Sequence, residues 1–119
     1  FKPKKIVFNK IKKDNNQSLL IDLVPNVDIL NHLGTLKRDD QLLVGFALET
    51  DNEIKNAIKK IKSKNLDAIV LNSLNDEGAG FRHNTNKITF INNKNNIIEF
   101  ELKSKHEVSI DIFNQIDNL

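Results

Sequence analysis

The stretch from Leu42 to Asn72 constrains the fold more than any other part of the sequence, because it reads as strand, helix and strand in succession. An apolar run ends in Gly45-Phe46-Ala47, a polar loop leads into a Lys-rich amphipathic segment, and a second apolar run follows. This order predicts a βαβ unit, in which ligands bind in the crevice beyond the carboxyl ends of the parallel strands. Residues 45–50 and 72–75 are expected to line that crevice.

The helix of this unit is predicted to begin near Asp51 and to end at Asn65, since Thr50 and Glu53 have the spacing of a capping box. Its apolar stripe has the spacing of a helix that docks on a sheet, and consists of Ile54, Ala57, Ile58 and Ile61. Lys60 and Lys64 share a face that borders this stripe. They are candidate anion ligands, although lysines in a last turn also stabilise the helix dipole without binding anything.

Composition narrows the class of protein. A chain of 119 residues fits one domain with a single core. With 18 Lys and Arg against 16 Asp and Glu, the charge gives no case for a nucleic acid or a membrane as partner. Absence of Cys excludes disulfides, thiolate metal sites and a thiol nucleophile. No apolar run approaches the roughly 18 residues that span a bilayer, so a soluble, cytoplasmic protein is expected.

The amino-terminal residues 1–13 contain six lysines and no acidic residue. This segment is either a phosphate-binding arm or a solvated arm whose lysines cover apolar surface. Residues 14–17 read as a turn and 18–24 as an edge strand, so Phe8 is predicted to pair with 19–23 in a hairpin that places Lys10 near its tip. The first residue is Phe1 and not Met, from which we expect a fragment or a processed piece of a longer protein.

The remaining elements follow from local signals. A short helix is predicted from a cap at or near Asn26 through about Leu33, with Gly34 as its stop. The polar loop 72–84 is a functional candidate or a connector. Segments 87–91 and 97–102 form a predicted hairpin, and Ser104 with Glu107 has the spacing of a capping box for a last helix. The predicted fold is therefore α/β: a Rossmann-like three-layer fragment with parallel core strands and an added antiparallel hairpin.

Few kinds of catalytic chemistry fit the sequence. The three histidines lie far apart and lack a partner at metal-ligand spacing, so no zinc site is predicted. No GxSxG, HExxH, GxxxxGK[ST] or GxGxxG motif occurs. The chain instead offers lysines, a Phe after a Gly at a strand end, and Asn- and Asp-rich loops, which suit a polyphosphate and a flat base. Catalysis by positioning and charge neutralisation needs little else besides a divalent metal.

Four stretches of the chain, taken together, resemble one family. They are the arm KPKKI with KIKK, the turn VPNVDIL, the strand and loop GFALETDN, and the helix end KKIKSKNLDAIVLN followed by GFRHNTNKITF. In this order and spacing they resemble the carboxyl-terminal half of phosphopantothenoylcysteine synthetase, the phosphopantothenate–cysteine ligase of coenzyme A biosynthesis. In bacteria this enzyme is often fused behind a flavin-dependent decarboxylase. The pairing of GFA-x-ET with K-x-x-x-KN-x-D is the specific part of the resemblance.

The resemblance implies a reaction and a set of ligands. In the family, a carboxylate of 4′-phosphopantothenate attacks the α-phosphate of CTP, which gives an acyl-cytidylate and pyrophosphate, and the amine of cysteine then displaces CMP. The implied ligands are CTP, 4′-phosphopantothenate, cysteine and Mg²⁺, with FMN only if a decarboxylase domain is fused upstream. A homodimer is implied because the family's sites form at a dimer interface, and neither a nucleic acid nor a membrane is expected as partner.

The resemblance also assigns roles to residues. Phe46 would contact the nucleotide, and Lys60 and Lys64 would contact its phosphates. The segment Val27, Asp28, Ile29 and Leu30 would contact the cytosine or the ribose, although the family has Pro where this chain has Val27. Lys10, first of KIKK, matches a lysine on a flap that the family uses to bind nucleotide and to complete the reaction. No residue is assigned to a metal.

The chain is interpreted as a single domain, residues 1–119, with a basic arm and flap at 1–24 and an α/β core at 25–119. The amino-terminal half of the family domain is absent from this sequence, so the fragment alone is predicted to be inactive as a ligase. The alternative is a non-catalytic nucleotide- or RNA-binding or dimerisation module that uses the basic arm. The lack of Tyr, Trp and paired Phe for base stacking counts against RNA binding.

Overall fold

A computed structural model describes residues 1–12, 18–73, 75 and 83–119 of the chain. In chain order the elements are β1 (Lys2–Pro3), β2 (Leu23–Val24), α1 (Ile29–Leu36), β3 (Val44–Glu49), α2 (Glu53–Ser63), β4 (Ala68–Ser73), β5 (Thr85–Asn86), β6 (Thr89–Asn92), β7 (Ile97–Glu99), β8 (Lys103–Ser104) and α3 (Lys105–Ile116). The main sheet has the strand order β3-β4-β6-β7, and short pairs form from β1 with β2 and from β5 with β8.

The main sheet combines the two predicted units. Strands β3 and β4 are parallel and joined by α2, as a βαβ unit requires. Strands β6 and β7 form the predicted hairpin, which adds to β4 in antiparallel orientation, with Thr89 opposite Glu99. Asn95 takes the positive φ of 65° in the turn of this hairpin. The predicted α/β class, with a parallel pair and an added antiparallel hairpin, is confirmed.

Two helices cover the two faces of the sheet, which makes three layers. Because side chains alternate along a strand, β4 supplies Ile69 and Leu71 to one face and Ala68 and Val70 to the other. The first face packs against Ala57 and Ile61 of α2. The second packs against Val108 of α3. All four of these β4 residues are buried, as expected for a strand covered on both sides, and each large side chain buried in this way contributes about 1.5–3 kcal/mol.

The beginning of α2 differs from the prediction. Its N-cap is Asn52, which has φ 46° and makes no side-chain capping bond, so the capping box of Thr50 and Glu53 is not formed. The Glu53 carboxylate instead accepts hydrogen bonds from Ser73 Oγ at 2.5 Å and from Asn75 Nδ2 at 3.2 Å. These contacts link the first turn of α2 to the carboxyl end of β4, and this long-range partner displaces the local one.

The end of α2 agrees with the prediction. Asn65 follows the C-cap residue Lys64 and adopts the left-handed conformation with φ 54°. The Leu66 N–H donates to the Ile61 carbonyl at 3.0 Å, which is the closing bond of a Schellman motif. Leu66 and Ile61 also lie in the same apolar cluster, as is common for this motif.

Helix α1 begins and ends later than predicted. Its N-cap is Asp28, whose Oδ1 accepts the Asn31 N–H at 3.0 Å, and the helix continues through Gly34 to Leu36. Gly34 is therefore not a stop. A Cβ at Gly34 would lie 1.9 Å from the Lys64 carbonyl oxygen, so this position is glycine because two backbones meet there.

Within the described residues, the strand pairing of the amino-terminal arm lies at its base. Lys2 lies opposite Val24 in the β1–β2 pair, and the Lys4 N–H donates to the Asp22 carbonyl at 2.9 Å. The predicted pairing of Phe8 with 19–23 is wrong. The antiparallel pairing is made by residues 2–3 with 23–24, and Phe8 is 95% exposed. The predicted turn at 14–17 lies outside the described residues.

The last helix has the predicted start. Ser104 Oγ accepts the Glu107 N–H at 3.2 Å, and the Glu107 carboxylate accepts the Ser104 N–H at 3.0 Å, so the capping box is formed in both directions. Most of the candidate loop 72–84 lies outside the described residues, including Phe81 and Arg82. Within the described ranges, no helix has the length and apolar character needed to cross a membrane.

Candidate functional site

The candidate site lies along the outer edge of β3. This strand is at the edge of the four-stranded sheet. Its alternation directs Gly45, Ala47 and Glu49 towards α2 and directs Phe46 and Leu48 to the opposite face, in register with Val70. Phe46 is 65% exposed although it belongs to a strand. An exposed aromatic ring at an open edge is available to a ligand.

Lys64 contacts the turn that precedes α1. Its Nζ lies 2.8 Å from Oδ2 of Asp28, and the Lys64 side chain is only 22% exposed. Asp28 therefore binds with both oxygens, one to Lys64 and one to the Asn31 N–H. The hydrogen bond from Lys64, followed by that from Asn31, lowers the pKa of the Asp28 carboxyl below its ordinary value of 3.8. Two of the predicted site residues are thus in direct contact.

Lys60 contacts the carboxyl end of β3. Its ammonium donates to Oε1 of Glu49, whose other oxygen lies 3.4 Å from Asn56 Nδ2. The hydrogen bond from Lys60 lowers the pKa of the Glu49 carboxyl below 4.5, against the opposing effect of burial. Glu49 is 14% exposed and Lys60 is 40% exposed, so the pair borders solvent on the lysine side.

The two lysines therefore lie on one flank of α2, each in an ion pair with a carboxylate. An anion that approaches this flank would compete with Glu49 or Asp28 for the ammonium groups. The sequence reasoning singled out the lysines but missed Glu49. Period-2 alternation places Glu49 on the same face as Ala47, towards the helix that carries Lys60, and this signal would have found the pair.

The segment Val27 to Leu30 lies beside the same edge. The Leu30 methyl group Cδ2 would be 3.0 Å from a Cβ at Gly45, so the start of α1 packs on the α2 face of β3. Val27 and Ile29 are exposed by 66% and 70%. The structure thus brings Asp28, Leu30, Lys60 and Lys64 to one side of the edge, whereas Phe46 projects from the other side of the strand.

Lys10 is not brought to this group. It lies in a part of the arm without a helix or strand, and its side chain is exposed. It makes no hydrogen bond or ion pair with a described residue. Its role as a flap lysine stays a prediction.

The crevice beyond the strand ends is lined by neither Lys60 nor Lys64. A cavity of about 440 Å³ lies there, at the amino end of α2. Its lining includes Thr50, Asp51, Glu53, Ser73, Asn75 and Lys87. Lys64 lies away from this crevice, because α2 runs back along the sheet and its carboxyl end reaches the amino ends of β3 and β4. A helix of this length spans about 16 Å.

The described ranges contain no cluster of three or more His, Asp or Glu side chains that could hold a metal ion. Mg²⁺ is commonly held largely by substrate phosphates and water.

Comparison with known proteins identifies the family. The family model described as the DNA/pantothenate metabolism flavoprotein C-terminal domain matches residues 1–119. The chain belongs to this family. Its resemblance to the carboxyl-terminal half of phosphopantothenoylcysteine synthetase is supported by the coenzyme A biosynthesis bifunctional protein CoaBC of Bacillus subtilis (strain 168), which is 40% identical over 116 residues, 98% of this chain and 28% of that protein.

Another relative has a different name, and a solved CoaBC structure agrees with this placement. The chain is 58% identical over 107 residues, 90% of its length, to a cysteine/cysteine sulfinic acid decarboxylase from an unknown prokaryotic organism. It covers 30% of that protein, so it spans about a third or less of the relatives it matches. The crystal structure of the C-terminal domain of a CoaBC protein superposes with a TM-score of 0.67 at 40% identity, over 81% of this chain and 43% of that one.

Proposed function

We propose that this chain is the carboxyl-terminal part of a ligase of coenzyme A biosynthesis and that it binds CTP. The CoaBC relatives support the pathway and the class of enzyme. The observation that carries the CTP proposal is the placement of Lys60 and Lys64 on one flank of α2, next to the Asp28 turn and the open edge of β3. In this proposal residues 1–24 are a basic arm with a flap and residues 25–119 are the core.

The proposed reaction joins 4′-phosphopantothenate to cysteine. The pantothenate carboxylate attacks the α-phosphate of CTP, pyrophosphate leaves, and the cysteine amine then attacks the acyl carbon with release of CMP. Such a sequence depends on neutralised phosphates and on exclusion of water, and the ammonium groups of Lys60 and Lys64 would serve the first need.

Each lysine would exchange partners when the nucleotide binds. Lys60 would leave Glu49 and Lys64 would leave Asp28, so that each ammonium donates to a phosphate oxygen instead. The Val27 to Leu30 turn and Phe46 would contact the base or ribose from the two sides of the β3 edge. Lys10 would close over the phosphates from the arm, as the flap lysine that completes the reaction. Mg²⁺ would be carried by the phosphates.

A homodimer, in a cytoplasmic protein, is part of this proposal. The arm exposes a concentration of large apolar side chains, with Phe8 at 95% and Leu20 at 92%. An apolar cavity of about 640 Å³ lies among residues 3, 5–7, 11 and 19–22. Exposed apolar patches of this kind commonly mark interfaces. FMN belongs to the proposal only if a decarboxylase domain precedes this chain.

Titration of CTP and of ATP, each with Mg²⁺, into the full chain tests the proposal. We expect CTP to bind more tightly than ATP, and Lys60→Ala and Lys64→Ala each to weaken CTP binding by about tenfold or more, because each removes a charge-assisted hydrogen bond. Lys59→Ala, which alters an exposed lysine of the same helix, is the matched control and should bind CTP as the parent does. Equal affinity for both nucleotides, with no effect of the two variants, would refute the proposal.

The same titration separates the alternatives. A decarboxylase acting on cysteine sulfinic acid, as one relative is named, has no need of a nucleotide. A nucleic-acid-binding module would bind RNA with an affinity that falls steeply as salt rises. CTP binding that depends on Lys60 and Lys64 is expected neither of the decarboxylase nor of an RNA-binding module.

A further inference from the structure

Helix α1 is held in place by little apolar burial. Gly34 is its single buried residue. Ile29, Leu33 and Leu36 are exposed by 70%, 46% and 62%, and Leu30 alone packs at the margin of a core cluster. Since burial of side chains does not fix this helix, its other contacts must decide where its first turn lies.

In the described part of the chain, the polar and backbone contacts of α1 with other elements reach one short segment, residues 64–67. At the middle of α1, the backbone of Gly34 touches the Lys64 carbonyl closely enough to exclude a Cβ. Beside it, Asn65 Nδ2 donates to the Gly34 carbonyl at 3.0 Å. Asn65 is suited to this place because its left-handed backbone directs the chain away from α2 while its amide reaches back to α1.

At the carboxyl end of α1, Lys37 forms the more enclosed contact. Its Nζ lies 3.0 Å from both oxygens of Asp67, and the two side chains are only 15% and 14% exposed. Asp67 Oδ2 also accepts the Leu43 N–H at 2.6 Å, so the carboxylate is itself fixed by the backbone before β3. At the amino end of α1, Asp28 contacts Lys64. The eight-residue helix is thus held at three points along its length.

We propose that Asn65 and Asp67 are positioning residues for the nucleotide site, because through Gly34 and Lys37 they hold α1 so that the Asp28 turn lies against Lys64. The inference rests on the proposed function. Neither residue touches the proposed ligand, and both act through α1. Since α1 has little core of its own, release of either contact lets the helix move without unfolding the sheet.

The decisive comparison uses Lys37. Lys37→Met removes the charge and leaves Asp67 without its cation, while Lys37→Arg keeps the charge and is expected to restore the contact. Asp111→Asn is the matched control, because it breaks another partly buried ion pair, Lys103 with Asp111 at 2.8 Å, on the opposite face of the sheet. All three variants are compared with the parent as full chains.

Two readouts are taken. In Lys37→Met we expect the dissociation constant for CTP with Mg²⁺ to rise about tenfold, because the Val27 to Leu30 turn that would contact the base or ribose moves with α1. The pKa of Asp28, followed by NMR of its carboxyl carbon, should rise towards 3.8. Lys37→Arg should return both quantities towards the parent. Asp111→Asn should lower the melting temperature and leave both unchanged, since general destabilisation does not separate Asp28 from Lys64.

Asn65 provides a second pair of variants. Asn65→Asp keeps the shape and removes the donor, whereas Asn65→Gly keeps the left-handed backbone and removes the whole amide. Both should raise the Asp28 pKa and weaken CTP binding, because both lack the bond to Gly34. A third variant, Asn65→Ala, separates the amide from the backbone. If it alone raised the Asp28 pKa and weakened CTP binding, the backbone conformation and not the amide would position α1. The role assigned to the Asn65 side chain would then be overturned.

The two proposals fail in different ways. If the parent binds CTP and Lys64→Ala weakens that binding, but Lys37→Met changes neither the dissociation constant nor the Asp28 pKa, the positioning inference alone is overturned. If the parent does not bind CTP, the proposed function is overturned, and the Asp28 pKa in the same variants still decides whether Asp67 and Asn65 hold α1.

Discussion

The ammonium of Lys64 lies 2.8 Å from the carboxylate of Asp28, and this contact joins the end of α2 to the turn before α1. Residues 36 positions apart in the chain, each singled out for a different part of the nucleotide, are therefore neighbours in the folded protein. In the proposed site, a residue for phosphate contact and a residue for base contact therefore meet where the end of α2 touches the turn before α1. Perturbing that junction, or the equivalent pair of Lys60 with Glu49, should change ligand binding in predictable directions.

Glu49→Gln should strengthen CTP binding by about three- to tenfold. The neutral amide competes less well than the carboxylate with a phosphate for Lys60, and the energy of a partly screened ion pair sets this range. Isothermal titration of CTP with Mg²⁺ measures the effect. Glu101→Gln makes the same change of charge at an exposed site after β7 and should leave the affinity as it is. Weaker binding in Glu49→Gln would contradict the exchange of partners.

The free energy of unfolding should decrease as the pH is lowered through the pKa values of Asp28 and Glu49. Both pKa values are lower in the folded chain than their ordinary values of 3.8 and 4.5, chiefly because of Lys64 and Lys60. The stabilisation is therefore present above the unfolded pKa and is lost as pH falls through the folded pKa. Urea unfolding at a series of pH values below about 5 measures it. In Lys64→Met the contribution from Asp28 should become smaller, because only the backbone hydrogen bonds then lower its pKa, so the curve should be flatter than that of the parent.

Gly34→Ala should destabilise the chain by about 1–3 kcal/mol, although Ala is ordinarily the better helix residue by about 1 kcal/mol. The new Cβ would meet the Lys64 carbonyl at 1.9 Å, and α1 must shift to accommodate it. Chemical denaturation measures the change. Asn31→Ala, at an exposed position of the same helix, should be neutral or slightly stabilising. A Gly34→Ala variant as stable as the parent would show that the two backbones do not meet.

Ser104→Ala should cost about 1 kcal/mol of unfolding free energy, because it removes the side chain that caps α3. Ser109→Ala is the control inside the same helix, where the hydroxyl bonds only to the His106 carbonyl at 2.6 Å. Loss of that hydroxyl should be close to neutral, since Ala is favoured in a helix interior. Equal effects of the two substitutions would be at odds with a specific capping role for Ser104.

Features with a local cause could be predicted from the sequence. The capping box of Ser104 and Glu107, the apolar stripe of α2 and the β6–β7 hairpin each depend on residues a few positions apart. The Thr50 and Glu53 spacing is the same local signal, yet Glu53 binds Ser73 and Asn75 instead. A capping motif predicts the hydrogen-bond partner correctly only when no other element supplies a competing partner.

Features that depend on two distant segments could not be predicted. Gly34 has the sequence context of a helix stop, and nothing nearby indicates that the Lys64 backbone will approach it. The contact of Lys64 with Asp28 has the same origin, since it follows from how α1 lies against α2. The family resemblance brought both residues to notice as ligands but gave no indication that they bind each other.

The ion pairs of Lys60 and Lys64 also have a consequence for entropy. A free lysine side chain samples many rotamers, and ordering it on a ligand costs about 1.5–2 kcal/mol. Here Glu49 and Asp28 already hold the two ammonium groups against the protein. Much of that ordering is complete before any phosphate arrives, so the lysines need only a short movement from one oxygen to another. The carboxylates that compete with the ligand for the lysines are the same groups that keep those lysines ready for it.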